Sequence, residues 1–334
     1  MPVLGKIVMV KNIVLCFDDT TDRSGPPAGT NVLALTTLLD AADPTRQIGW
    51  YGAEWASGPA DSYLFLVEHW TPGDRIFLFG CGRGAYRARF LAGLLNTIGA
   101  LPHGADDVLQ YVIRTYVVPQ RNRTPEDWRR VAEVVSRLSG QPDGIISVPV
   151  QFLGLWDALV PGPLRQTADW PTTDTLDNVL SGRHAVSIDE PRGLLHDSWL
   201  SPDAHERIEE VWFRGTHADI GGGPAGRPEL AAITLDWLLD AARRAGLLLR
   251  TGVCDAVPVP TGMHALAPNG RPAARRLAAL RSRHLPDDAN IHASVDFYLH
   301  THPEYWELLP THISWADIGW ADRSERLVTT SATT

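Results

Sequence analysis

Residues 75–95 read RIFLFGCGRGAYRARFLAGLL, and the organisation of the whole chain follows from this stretch. Arg75–Phe79 is almost wholly apolar, as a strand buried on both faces requires. Gly80, Gly82 and Gly84 follow at alternate positions, and Ala85–Ile98 then spaces its apolar side chains as a helix does. Strand-like runs recur at Ile13–Phe17, Val148–Leu155 and Glu210–Phe213. Helical patterns lie at Asn31–Leu39, Ala105–Val117, Pro125–Leu138 and Leu230–Ala245. Short continuous apolar strands alternating with amphipathic helices predict a mostly parallel sheet with helices on both faces. In such sheets ligands collect beyond the carboxyl ends of the strands.

Composition narrows the options. The chain has 334 residues, 44% of them hydrophobic, enough to bury a large core. Its net charge of −9 and the absence of any basic block argue against nucleic acid as a partner. Cys16, Cys81 and Cys254 lie too far apart for a disulfide framework or a paired-cysteine metal site. The apolar N-terminus is interrupted by Lys6 and Lys11 and reads as a first core strand, not as an export signal. Nor is there an apolar run of the ~20 residues that a membrane span needs. These features point to synthesis and residence in the cytoplasm, with no transmembrane segment.

The segments after the strands hold the chemistry. Asp18-Asp19-Thr20-Thr21-Asp22 follows the first strand, and Gly80-Cys81-Gly82-Arg83-Gly84 follows the second. Trp156-Asp157 follows the third, and Gly215-Thr216-His217-Ala218-Asp219-Ile220-Gly221-Gly222-Gly223 follows the fourth. The glycine turn has the strand–elbow–helix setting of a GxSxG nucleophile elbow, whose central serine projects above the sheet edge. Here the central residue is Gly82, which suits a strained backbone but carries no nucleophile. The glycines are one position out of register for a dinucleotide fingerprint, and no cofactor is expected. Cys81, one residue before the apex, is expected to point into packing.

With these motifs the sequence resembles the α/β-hydrolase-like domain family of unknown function that includes type VI secretion phospholipase effectors. That family carries FDGTxN, GFSRGA, FLGVWDTV and VWFPGxHxDVGGGY. The corresponding stretches here begin at Phe17, Gly80, Phe152 and Val211, with a further similar stretch at Arg183–Glu190. The similarity runs from about residue 13 to about residue 296. It implies an α/β-hydrolase-like domain over residues 1–327, with helical insertions around 100–145 and 160–205 and a tail at 328–334. It implies a Ser-His-Asp hydrolase of lipid or small acyl-ester substrates, with delivery by a secretion system open to it. Gly82 takes the nucleophile position, Asp157 the orienting acid and His217 the general base. The backbone N–H of Arg83 would be one oxyanion donor, and the loop Asp19–Thr21, including Thr20, would supply a second. The family's glycine is Asp19 here, its asparagine Asp22, and its elbow phenylalanine Cys81. Loss of the serine alone would point to an engineered Gly82, whereas several changes at one rim favour natural divergence, and both readings stay open.

On this reading the chain is inactive or weakly active as a serine enzyme. Two alternatives stand beside it: a non-catalytic pseudo-hydrolase that binds a ligand or protein partner, and a metal-assisted hydrolase holding an ion on Asp18, Asp19, Asp157 and Asp219. His292 is the rival base. His184 and His196 are expected to be structural, and Arg83 to brace the elbow by pairing with a carboxylate.

Overall fold

The structure, a computed structural model, describes residues 10–19, 29–53, 59–101, 147–160, 176–190, 206–250, 262–267 and 285–320, with isolated positions elsewhere that include Arg283. The helix expected at Ala105–Val117, the residues Thr20 and Thr21, and the tail at 328–334 lie outside the described residues. So does most of Pro125–Leu138.

Among the described residues eight strands form one sheet: β1 (Asn12–Asp18), β2 (Gln47–Ala53), β3 (Arg75–Cys81), β4 (Val150–Trp156), β5 (Gly182–Ser187), β6 (Ile208–Phe213), β7 (Ala289–His292) and β8 (Ile313–Ala316). Their spatial order is β8-β7-β6-β5-β4-β3-β1-β2, and every neighbouring pair is parallel. This is the parallel sheet that the alternation of strands and helices predicted, and it agrees with the α/β-hydrolase-like fold that the resemblance implied. β5 falls inside the stretch expected to be an insertion at 160–205, yet it is a central strand between β4 and β6. Its polar positions Arg183 and His184 hide it from an apolar-run reading.

Side-chain alternation sorts β1 and β3 between two cores. Ile13, Leu15, Phe17, Ile76 and Leu78 pack on the face covered by α2 (Pro59–His69) and α3 (Arg83–Ile98). Val14, Cys16, Phe77, Phe79 and Cys81 face α1 (Asn31–Leu38) and α5 (Pro228–Arg244). The short helix α4 (His217–Gly221) lies between β6 and α5.

The chain runs from β1 to β2 on one side and then crosses to β3 on the other. The resulting switch point at the carboxyl ends of β1 and β3 is where an open parallel sheet offers a crevice. The Asp18-Asp19 loop and the elbow meet there.

The helix after the elbow sits tightly on β1. A β-carbon on Gly84 would lie 2.1 Å from the Phe17 carbonyl oxygen, a backbone atom that cannot swing away. Gly→Ala inside an ordinary helix gains about 1 kcal/mol. At this position overpacking reverses the sign, and Gly84→Ala is expected to lose about 1–3 kcal/mol, read as a lower urea midpoint.

Candidate active site

The elbow apex is set by backbone geometry. Gly82 has φ +54° and ψ −117°, a conformation that L side chains rarely adopt. Its N–H donates to the Trp156 carbonyl at 2.9 Å, and its own carbonyl accepts from Tyr86 and Leu159. These bonds tie the turn to the end of β4, where Asp157 begins the next loop.

Asp157 is 1% exposed and has φ +44°. Its N–H donates to the Ala185 carbonyl at 2.7 Å, so β5 fixes its backbone. One carboxylate oxygen, Oδ1, accepts from the Ser187 N–H at 3.0 Å and from Arg283 Nη1. The other, Oδ2, accepts from His217 Nδ1 at 2.7 Å. Burial by itself would raise the pKa of this carboxyl. The charge of Arg283 and the hydrogen bond from His217 outweigh it and hold the group well below the usual carboxylate range.

His217 is the first residue of α4. Thr216 and Asp219 cap that helix reciprocally, with Asp219 Oδ2 accepting from the Thr216 N–H at 2.8 Å. The His217 N–H donates to Glu190 Oε2 at 2.8 Å. The bond to Asp157 makes Nδ1 the donor and aims Nε2 at the elbow. A β-carbon on Gly82 would stand 3.0 Å from that Nε2. Three distant loops thus converge on one point. Burial pushes the His217 pKa down. The Asp157 hydrogen bond, the neighbouring Cys81 thiol and the Asp157 charge push harder in the other direction and leave it well above the ordinary imidazole value.

The space beside His217 is filled. Asp19 Oδ2 stands 2.3 Å from the position a Gly82 β-carbon would take. The same oxygen accepts the Arg83 backbone N–H at 3.1 Å, and Oδ1 accepts Arg83 Nε at 2.6 Å. Asp19 Oδ2 lies 3.9 Å from His217 Nε2. The amide expected to stabilise an oxyanion is therefore already bonded to the Asp19 carboxylate, while the Asp19 N–H donates to Asp18 Oδ1. Charges alternate along the site: Arg283, Asp157, His217, Asp19, Arg83.

The proposed carboxylate cage does not form. Asp18 Oδ2 accepts from Thr30 and Tyr51 hydroxyls at 2.6 and 2.7 Å, and its Oδ1 accepts the Asp19 N–H. Asp219 is committed to its cap and to the Arg227 N–H at 2.8 Å. Among the described residues no group of three or more His, Cys, Asp and Glu side chains is placed to hold a metal ion.

His292 is not at this rim. It is fully buried at the end of β7, four strands from β3, or roughly 19 Å at the usual strand spacing. Its Nδ1 pairs with Ser294 Oγ at 2.9 Å and its ring stacks on Phe213, so it caps the following helix. His184 also serves the fold: Nδ1 meets Glu210 at 2.9 Å and Nε2 accepts the Ala158 N–H at 3.1 Å. Cys81 is 5% exposed, with its sulfur packed under Gly221. Burial raises its pKa, which keeps it a thiol although His217 is close.

Arg283, Ser187 and Glu190 have no motif that assigned them a part in this site. Glu190 lies in the Arg183–Glu190 stretch of resemblance, and its acidic side chain next to a strand end was the available signal. For Arg283 the signal was indirect: a buried Asp157 needs a cation, and sequence does not say which arginine supplies it.

A sequence profile described as "T6SS, Phospholipase effector Tle1-like, catalytic domain" matches residues 49–241. An uncharacterized protein of Saccharomyces cerevisiae, YEL023C, is 28% identical over 224 residues, covering 58% of this chain and 33% of the yeast protein. The chain thus spans about a third of the length of that relative. Among solved structures, one described as the Tle1 effector bound to the VgrG spike from the Type 6 secretion system superposes with a TM-score of 0.44 at 13% identity, over 87% of this chain and 83% of that one. An uncharacterized protein from Pseudomonas aeruginosa gives 0.42 at 14% identity, over 79% of this chain and 52% of that one. The profile covers more than half of the 334 residues and includes the elbow, Asp157 and His217, and the chain belongs to the family of Tle1-like phospholipase effector catalytic domains.

Proposed function

We propose that this chain is a hydrolase of carboxylic esters, with lipids as its substrate class, working without a serine nucleophile. The observation that carries the reading is the His217–Asp157 pair, 2.7 Å apart, whose imidazole edge faces the elbow apex. A carboxylate that fixes the tautomer and orientation of an imidazole beside a strand–helix turn is the working part of an acyl-transfer site. Family membership supports lipid as substrate and delivery by a type VI machine. Among the described residues no helix is long and apolar enough to cross a membrane.

Gly82 has no hydroxyl, so an acyl-serine intermediate is impossible and turnover should be slow. Hydrolase sites that lose their nucleophile retain on the order of 10³–10⁴-fold acceleration over water from binding and electrostatics. The test is hydrolysis of 4-nitrophenyl butyrate and of short-chain phosphatidylcholine by the wild-type chain and by His217→Ala. The variant should lose about 10²-fold or more, the range of general acid–base catalysis. A folded wild-type protein that hydrolyses neither substrate above background would favour the non-catalytic binding module.

A further inference from the structure

From the position of Asp19 we infer that its carboxylate is the catalytic base toward the hydrolytic water, with His217 acting as the acid. The inference rests on the hydrolase reading of the same site, and it reverses the role that a serine mechanism would give the histidine.

The geometry makes the case. Asp19 Oδ2 occupies the place of a nucleophile side chain, 2.3 Å from the would-be Gly82 β-carbon. It is held there by the Arg83 backbone N–H and by the Arg83 side chain through Oδ1. His217 Nε2 is 3.9 Å away, beyond hydrogen-bond reach, so both groups can face one water or substrate atom at the rim. Asp19 is about 10% exposed and His217 about 25% exposed, both open enough to meet a substrate. Glycine at 82 is then required, because any larger residue would collide with the carboxylate.

The groups around each partner agree with these roles. Facing His217 are Asp157 on Nδ1, Asp19 near Nε2, the Cys81 thiol and, at its backbone N–H, Glu190. Arg283 stands behind Asp157 and Arg83 behind Asp19. Asp18 precedes Asp19 and accepts its N–H, while Arg87 Nη2 donates to the Asp18 carbonyl. An imidazole flanked by carboxylates favours its protonated form, which cannot deprotonate a serine but can protonate a leaving group. A carboxylate held beside a guanidinium and an imidazole held between carboxylates are placed to act as base and acid.

The reaction balances without a further reagent. Asp19 Oδ2 takes a proton from water as the water oxygen bonds to the ester carbonyl carbon and the carbonyl electron pair moves onto oxygen. Collapse of the tetrahedral species breaks the acyl carbon–alkoxy oxygen bond, and the leaving oxygen takes the proton from His217 Nε2. The proton on Asp19 then returns to His217, leaving a carboxylic acid and an alcohol.

The pH profile of kcat/KM of the wild-type chain tests this without a variant. Activity should fall as pH rises through the elevated His217 pKa, because the acid is lost. A profile that instead rises through the same region requires neutral histidine as base and overturns the inference. Asp19→Asn, nearly the same in shape, should lower kcat by about 10²-fold or more with the fold intact by circular dichroism. Retained activity in Asp19→Asn, with loss in His217→Ala, overturns the Asp19 role and leaves the hydrolase reading standing. Trapping of an acyl adduct on Asp19 by hydroxylamine shows Asp19 as nucleophile and overturns the base assignment. Absence of wild-type ester hydrolysis overturns both.

Discussion

Gly82→Ser alone is expected to lower ester hydrolysis, because the new side chain pushes the Asp19 carboxylate from its place, whereas Gly82→Ser combined with Asp19→Gly should raise it on the order of 10³-fold above the wild type. A serine β-carbon at position 82 would lie 2.3 Å from Asp19 Oδ2 and 2.8 Å from His217 Cε1. The new hydroxyl must displace a carboxylate anchored to Arg83 through both oxygens. While Asp19 stays in place, the Arg83 N–H is bonded to an anion and cannot stabilise an oxyanion, a contribution of about 10²–10³ in kcat. Glycine at 19 removes all three obstacles: it opens the space, releases the Arg83 amide, and takes a negative charge away from His217 so that the imidazole can act as a base. The two substitutions are therefore strongly coupled. Labelling of the introduced serine by a fluorophosphonate, together with a burst of 4-nitrophenol, provides the measurement. Equal gains from the single and double variants would show that Asp19 does not obstruct the site. Serine at φ +54° adds backbone strain of about 1–3 kcal/mol, so the double variant should also unfold at lower urea.

The second large effect is on stability. Arg283→Met is expected to destabilise the protein by about 3–5 kcal/mol, because Asp157 stays buried and charged after losing the guanidinium on its Oδ1. Both side chains are almost completely enclosed, at 2% and 0% exposure, so solvent screening does little to soften the loss. Arg283 Nη1 also bridges to the Ser187 hydroxyl at 2.8 Å, which ties the acid loop to β5. The pH dependence has a definite sign. Asp157 has a folded pKa below its unfolded value of about 3.9, so its contribution is present above that pH and is lost as pH falls through the folded value. The gap between wild type and Arg283→Met should therefore be full at neutral pH and shrink on acidification below about pH 4. A gap that is constant with pH would mean that Arg283 stabilises by packing and not by charge. His217 runs the other way. Its pKa is raised on folding, so its stabilisation is full below about pH 6.5 and disappears as pH rises through the folded value.

The central strands and the elbow were legible in sequence because their signals are local. Arg75–Cys81 is continuous and apolar, the glycine spacing is fixed, and the helix period begins at once. β2 and β7 were not legible in the same way. Gln47–Ala53 is only half buried near the sheet edge, and Ala289–His292 is too short to show a period. The pairing of Asp157 with His217 was reachable through the resemblance to family motifs, and it is consistent with both residues following strands of one parallel sheet. The position of Asp19 was not. It depends on where the residue after β1 lies against a helix N-terminus 64 residues later, whose first N–H its carboxylate accepts.

The amino-acid order thus determined the layered parallel architecture and the missing hydroxyl at position 82, and the family resemblance pointed to His217 and Asp157 as the imidazole and its carboxylate. The first two follow from side-chain periodicity and from which residue types stand directly after strands. Only the tertiary structure decided what occupies the space facing that imidazole, which arginine neutralises the buried acid, and that His292 belongs to the core. Each of these is a contact between segments far apart in the chain, made by side chains whose own sequence neighbours carry no sign of the partner. Non-local electrostatics and close packing choose those partners, and they exist only once the sheet has formed.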